Sequence, residues 1–122
     1  MTEMTQPSGW AGALAAARAD GWDTVEIDLS GVRDKPGFLT ACAGALRLPD
    51  WFGHNWDALA DCLRDLSWSP PARGRVLVLT HWQPYAHAAP GQWATAQEIL
   101  GEAVAHWRGG DTPLSVLLSL GD

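Results

Sequence analysis

Apolar and polar positions recur along the chain in patterns that separate seven elements. Residues 10 to 19 (WAGALAAARA) are Ala-rich and predict a helix, which Asp20-Gly21 closes with a turn. From Thr24 to Leu29, Val25, Ile27 and Leu29 alternate with Glu26 and Asp28, a two-residue period that predicts a strand with one wetter face. Asp34-Lys35-Pro36 supplies an N-cap and a proline for a first helical turn, and Phe38, Leu39, Cys42, Ala45 and Leu46 follow at three- and four-residue spacing. That spacing predicts a helix of about 12 residues ending near Arg47. Leu48 to Gly53 interrupts it, because Pro49 and Gly53 do not fit one straight helix, so a loop carrying the adjacent aromatics Trp51 and Phe52 is expected.

A second short helix is expected at about residues 55 to 66. At 100° per residue, Trp56, Leu59, Cys62, Leu63 and Leu66 fall on one side and Asp57, Asp61, Arg64 and Asp65 on the other. Ser67 to Gly74 reads as a connection, and Arg75 to Thr80 is a nearly unbroken apolar run, as in a strand covered on more than one side. Pro84 to Gly91 reads as loop. From Gln92 to Trp107 the helical period returns through Trp93, Ala96, Ile99, Leu100, Ala103 and Val104, and Gly109-Gly110 ends it before a last strand, Pro113 to Leu120. Strands separated by helices predict an α/β fold, a three-stranded parallel sheet with helices packed against it plus an N-terminal helix. One domain over residues 10 to 122 is expected, after a disordered N-terminus of residues 1 to 9.

Length and charge narrow the picture further. At 122 residues, with 47% apolar and 18% charged residues, the chain can bury one core. Its formal charge of −6 argues against a role that begins by neutralising phosphates, so nucleic acid is not the expected partner and a basic protein is. Neither a signal peptide nor a membrane-spanning run is visible, which makes the cytoplasm the expected location. Cys42 and Cys62 are too few for a disulfide scaffold and are expected as buried free thiols. The eight tryptophans are an excess over average usage, on the order of one per hundred residues. Tryptophan serves cores and interfaces alike, so the count does not divide them.

Motifs for catalysis and cofactors are absent: there is no GxGxxG after a strand, no Walker loop, no GxSxG and no HExxH, and no cofactor is expected. His54, Asp57 and Asp61 lie three and four apart and could share a helical face as metal ligands or an acid/base pair, although a solvated acidic face has the same spacing. His81, His87 and His106 are expected in hydrogen-bonded structural roles.

The stretch from Leu48 to Leu63 is more informative. Between Asp50 and Asp65 four aspartates face one arginine, Arg64, a local charge of −3 beside the aromatics Trp51 and Phe52. Such a combination suits a surface that docks on a basic, concave partner, and it equally suits a solvated helix whose preceding aromatics fold into the core. The stretch resembles the signature of the barstar family of ribonuclease inhibitors, element by element and without a gap: Leu48-Pro49, Trp51-Phe52, Gly53, Asn55, Asp57-Ala58-Leu59 and Asp61-Cys62-Leu63. The looser order of strands and helices extends the resemblance from about Thr24 to Leu120.

The resemblance implies an inhibitor of a microbial, barnase-like, guanyl-preferring ribonuclease, with no catalysis of its own. By that likeness Asp61 takes the place of the substrate phosphate, Asp57 pairs with a basic residue nearby, and Trp51 packs over the catalytic histidine. The implied partner-facing set is Trp51, Phe52, Gly53, His54, Asn55, Asp57, Ala60, Asp61, Arg64 and Asp65. An acidic contact at the start of the helix before the last strand is represented by Gln97 or Glu98. Ala60 and Trp56 depart from the founding member's Trp and Leu, so the partner's contact shape should differ. A monomer is expected when the chain is free. The other readings are a metal-binding protein or enzyme using His54, Asp57 and Asp61, and a non-inhibitory interaction module on the same fold. The inhibitor reading requires the carboxylates to face outward and not to be capped by the chain's own arginines.

Overall fold

The computed structural model describes residues 9–49, 52–66 and 72–119, with side chains from Leu14 onward. In chain order it contains helix α1 (Gly9–Ala19), strand β1 (Asp23–Asp28), helices α2 (Lys35–Leu46) and α3 (Trp56–Asp65), strand β2 (Arg75–Thr80), helices α4 (Gln83–Ala88) and α5 (Pro90–Trp107), and strand β3 (Leu114–Leu118). The three strands form one parallel sheet in the order β1-β2-β3. Asp23 pairs with Arg75 and Asp28 with Thr80, while Arg75 pairs with Leu114 and Leu79 with Leu118. β2 is buried along its whole length because it is central and has apolar contacts on both faces.

Alternation along the strands divides the core in two. Ile27, Leu77 and Leu79 point to one face and join Phe38, Leu39, Leu59, Leu63, Leu100 and other buried residues of α2, α3 and α5. Val76 and Val78 point to the opposite face, where Leu14 of α1, Trp22 and Leu117 pack on them. Gly74 lets Trp22 lie close, since a Cβ there would come within 2.6 Å of the indole ring.

Local sequence accounts for the helix ends. Asp34 caps α2 by accepting from the Gly37 amide at 2.9 Å, Pro36 occupies the first turn, and Arg47 closes the helix in the left-handed region (φ 53°). α1 ends through Gly21 at φ 89°. The Pro84 to Gly91 loop expected from the sequence is a correction: α4 occupies most of it, and α5 begins at Pro90 rather than Gln92. Pro84 and Pro90 each sit in the first turn of a helix, where the missing amide costs nothing. α4 is held by Tyr85, fully buried and stacked 5.4 Å from Phe38. Gly9, expected in the N-terminal segment, opens α1; the rest of that segment, residues 1 to 8, and Leu120 lie outside the described residues.

Both cysteines are free and buried, as expected, and burial pushes the Cys42 thiol up to about 12. The five tryptophans with described side chains, Trp22, Trp56, Trp82, Trp93 and Trp107, all pack on the two core clusters. Trp82 and Trp93 stack at 5.2 Å, and the Trp82 indole donates to the Ser119 carbonyl at 2.9 Å. Among the described residues, no helix is long and apolar enough to cross a membrane.

Candidate functional site

α3 is positioned by its inward face and by its two ends. Leu59, Cys62 and Leu63 are fully buried, and Leu66 just beyond is buried too, so the apolar seam is spent on the core. Asn55 caps the start: its Oδ1 accepts from the Ala58 amide at 2.7 Å, and its Nδ2 donates to the Gly53 carbonyl at 3.4 Å. Asn55 is exposed, yet its side chain serves the helix. At the other end the Trp107 indole of α5 donates to the Leu63 carbonyl at 2.7 Å, tying the last turn of α3 to the neighbouring helix. The sequence showed Trp107 only as one member of the apolar period, so this bond was not legible there.

The outward face carries Asp57, Asp61, Arg64 and Asp65, all exposed, as the helical wheel predicts. Asp57 lies in the first turn and Arg64 in the last, both favourable to the helix dipole, whereas Asp65 at the C-terminal end opposes it. Arg64 Nη2 donates to Asp61 Oδ1 at 2.7 Å, so the condition that the chain's own arginines leave these groups alone is met only in part. The pair is solvent-exposed, with the Asp61 side chain 70% and the Arg64 side chain 43% accessible, and an exposed pair at this spacing is worth about 0.5 kcal/mol. Such a contact orients Asp61 without sequestering it. Burial, with the field of Asp61 and Asp65 added to it, raises the thiol pKa of Cys62 on the inner face.

The loop before α3 separates from the sequence reading at one aromatic. Phe52 is 5% exposed and belongs to the core, which corrects its place in the partner-facing set implied by the resemblance. Trp51 and Asp50 lie outside the described residues. Gly53 and His54 are exposed, and His54 takes a left-handed conformation (φ 53°). The His54 ring turns back over Phe52, with centroids 4.7 Å apart and Nδ1 3.2 Å from the Phe52 carbonyl oxygen. That orientation separates it from the aspartates: among the described residues, no three His, Cys, Asp or Glu side chains converge as a metal site. The His54, Asp57 and Asp61 cluster of the alternative reading is therefore not assembled.

Ala60 is half-buried against the core, and Trp56 lies between Phe38, 5.7 Å away, and the Lys35 ammonium, 5.7 Å from its ring. Gln97 and Glu98 are exposed, but they occupy the third turn of α5 rather than its start. The displacement follows from α5 beginning at Pro90. α3 and α5 pack against each other, so both helices belong to one rigid layer.

Of the other histidines, His81 Nδ1 lies 2.9 Å from Asp28 Oδ1, and His106 packs edge-on against Trp107 at 5.1 Å. The Ser30 hydroxyl and amide, with His81, hold the Asp28 carboxyl down at about 2.

Compared with known families, residues 22–119 match the one described as Barstar (barnase inhibitor). That span takes in the whole sheet and every helix except α1. No curated protein matches the chain.

Proposed function

The chain belongs to the barstar family, and from that premise we propose that it inhibits a microbial, guanyl-preferring ribonuclease by laying the acidic face of α3 on the enzyme's phosphate-binding cleft. One observation carries the reading: a ten-residue helix buries Leu59, Cys62 and Leu63 on its apolar side and turns three aspartates and a single arginine outward.

In this reading Asp61 substitutes for the substrate phosphate. A cleft built for phosphates already holds its guanidinium and imidazole groups in place, so a carboxylate meets cations that need no reorganisation. Asp57 and Asp65 extend the negative field and steer the approach, raising association toward roughly 10⁸ M⁻¹s⁻¹ at low salt. The bond from Arg64 to Asp61 is weak enough for an enzyme's arginines to displace. Trp51, one residue before the buried Phe52, supplies the aromatic contact to the catalytic histidine, and Gln97 or Glu98 on the adjoining α5 supplies a peripheral polar contact. Such an inhibitor protects the cell that makes the nuclease, acting as a monomer in the cytoplasm until it meets the enzyme.

The test is titration of RNA cleavage by purified extracellular ribonucleases of the guanyl-preferring class. Stoichiometric loss of cleavage by at least one member is the expected result. Full activity of every member in excess inhibitor would refute the proposal.

A further inference from the structure

Arg75, the first residue of β2, is 9% exposed, and its Nε has no hydrogen-bond partner among the described residues. A charged group withdrawn from water is costly unless an opposite charge or a set of acceptors meets it. The ion pairs among the described residues are Arg64 with Asp61 and His81 with Asp28, and Arg75 is in neither. Its guanidinium lies over the face of Trp107, 5.8 Å from the guanidinium carbon to the ring centre.

The same arginine lines a cavity of about 500 Å³ at the end of the sheet where β1 and β2 begin. Arg47, in its left-handed turn after α2, adds a second cation to the wall. Asp23 adds a carboxylate, and Leu66 and Leu77 contribute apolar surface. Glu26 also borders the cavity, but its side chain alternates to the other face of the sheet with its register partner Val78, where the Thr80 hydroxyl donates to its Oε2 at 3.0 Å. Asp23 is the register partner of Arg75, but no bond joins the two side chains.

A cavity of this size is in the usual range for small-molecule sites, which combine apolar walls with a few fixed polar groups. The charges select among ligands. Asp23 disfavours a doubly charged phosphate, which also has no apolar body to lay on Leu66 and Leu77, whereas a single negative charge supplies what Arg75 lacks. We propose that this cavity binds a small organic carboxylate with an apolar body, its carboxylate accepting from Arg75 and its body lying on Leu66 and Leu77. The site is separate from the outward face of α3, and it does not depend on the inhibitor reading. It is nevertheless linked to that helix, because Leu66 follows α3 directly and Trp107, under Arg75, holds the Leu63 carbonyl.

Octanoate, benzoate, octanamide and inorganic phosphate are titrated into the full chain, with the Arg75 Nε–H and Trp107 Nε1–H resonances followed by NMR. Octanoate or benzoate is expected to shift both saturably, and octanamide and phosphate at least tenfold more weakly. Arg75→Gln should abolish the response, and Ala45→Phe, which fills the cavity from α2 while keeping the arginine, should weaken it at least tenfold. The proposal is overturned if no carboxylate gives a saturable shift, if phosphate binds as well as octanoate, or if folded Ala45→Phe responds like the parent. A response that appears only in Asp23→Asn would also overturn it, since Asp23 would then be the native counter-ion of Arg75.

Discussion

Replacing Asn55 with alanine removes the side-chain N-cap of α3 while leaving its acidic face intact. Two bonds are lost, the 2.7 Å bond from the Ala58 amide and the longer 3.4 Å bond to the Gly53 carbonyl. The first satisfies a helix-end amide that has no partner within the helix, and such caps are worth about 1 kcal/mol, with a range of roughly 0.5–2. The second is long, so it adds a few tenths at most. Leu59, Cys62 and Leu63 remain buried, so the helix is not expected to detach, and the cost appears as a loss of global stability near 1 kcal/mol. For a domain of this length that corresponds to a melting temperature lower by about 3–6 °C. Urea unfolding followed by tryptophan fluorescence measures it, with an unchanged m-value showing that the denatured state is not the cause. A loss below about 0.3 kcal/mol would show that water satisfies the Ala58 amide as well as Asn55 does, and the account of what positions α3 would then be wrong.

Arg64→Ala should lower stability by no more than about 1 kcal/mol, counting an exposed ion pair and a favourable helix-dipole position, while speeding nuclease association several-fold at low salt, an advantage that fades at 0.5 M salt in stopped-flow measurements. A slower association would mean that Arg64 itself touches the partner favourably. Trp107→Phe removes the bond to the Leu63 carbonyl and should cost about 1–2 kcal/mol in the same unfolding assay. Asp28 gives a pH signature. Its carboxyl is near 2 when folded, against an ordinary 3.8, so the stability it contributes is complete above about pH 4 and disappears as the pH falls toward 2. Asp28→Asn should therefore flatten the pH dependence of stability in that window, and an unchanged slope would contradict the assignment.

What was legible in the sequence was mostly local. The cap of α2 is written in Asp34, three residues from the amide it satisfies, and the two faces of α3 follow from spacing alone, whereas Asn55, expected inside the helix and toward a partner, is its cap. Distance along the chain hid the rest. α4 exists because Tyr85 finds Phe38 across the core, and no pattern near Pro84 reveals that contact. Trp51 and Phe52 are adjacent large aromatics, and only the packed core marks Phe52 as an inside residue. The displacement of Gln97 and Glu98 into the third turn of α5 has the same origin, since Pro90 reads equally as loop punctuation and as a first-turn residue. Arg75 looked like the polar start of an apolar strand, and its burial beneath Trp107 depends on a residue 32 positions later.

The most direct test compares dissociation constants of one ribonuclease complex for the parent chain, Asp61→Ala and Asp65→Asn, with the fold of each variant checked by its unfolding curve. The account predicts that Asp61→Ala weakens binding at least a hundredfold, because the enzyme's phosphate-binding cations lose their partner, while Asp65→Asn changes it by less than tenfold. Equal affinities for the parent and a properly folded Asp61→Ala would contradict the claim that this carboxylate takes the phosphate's place.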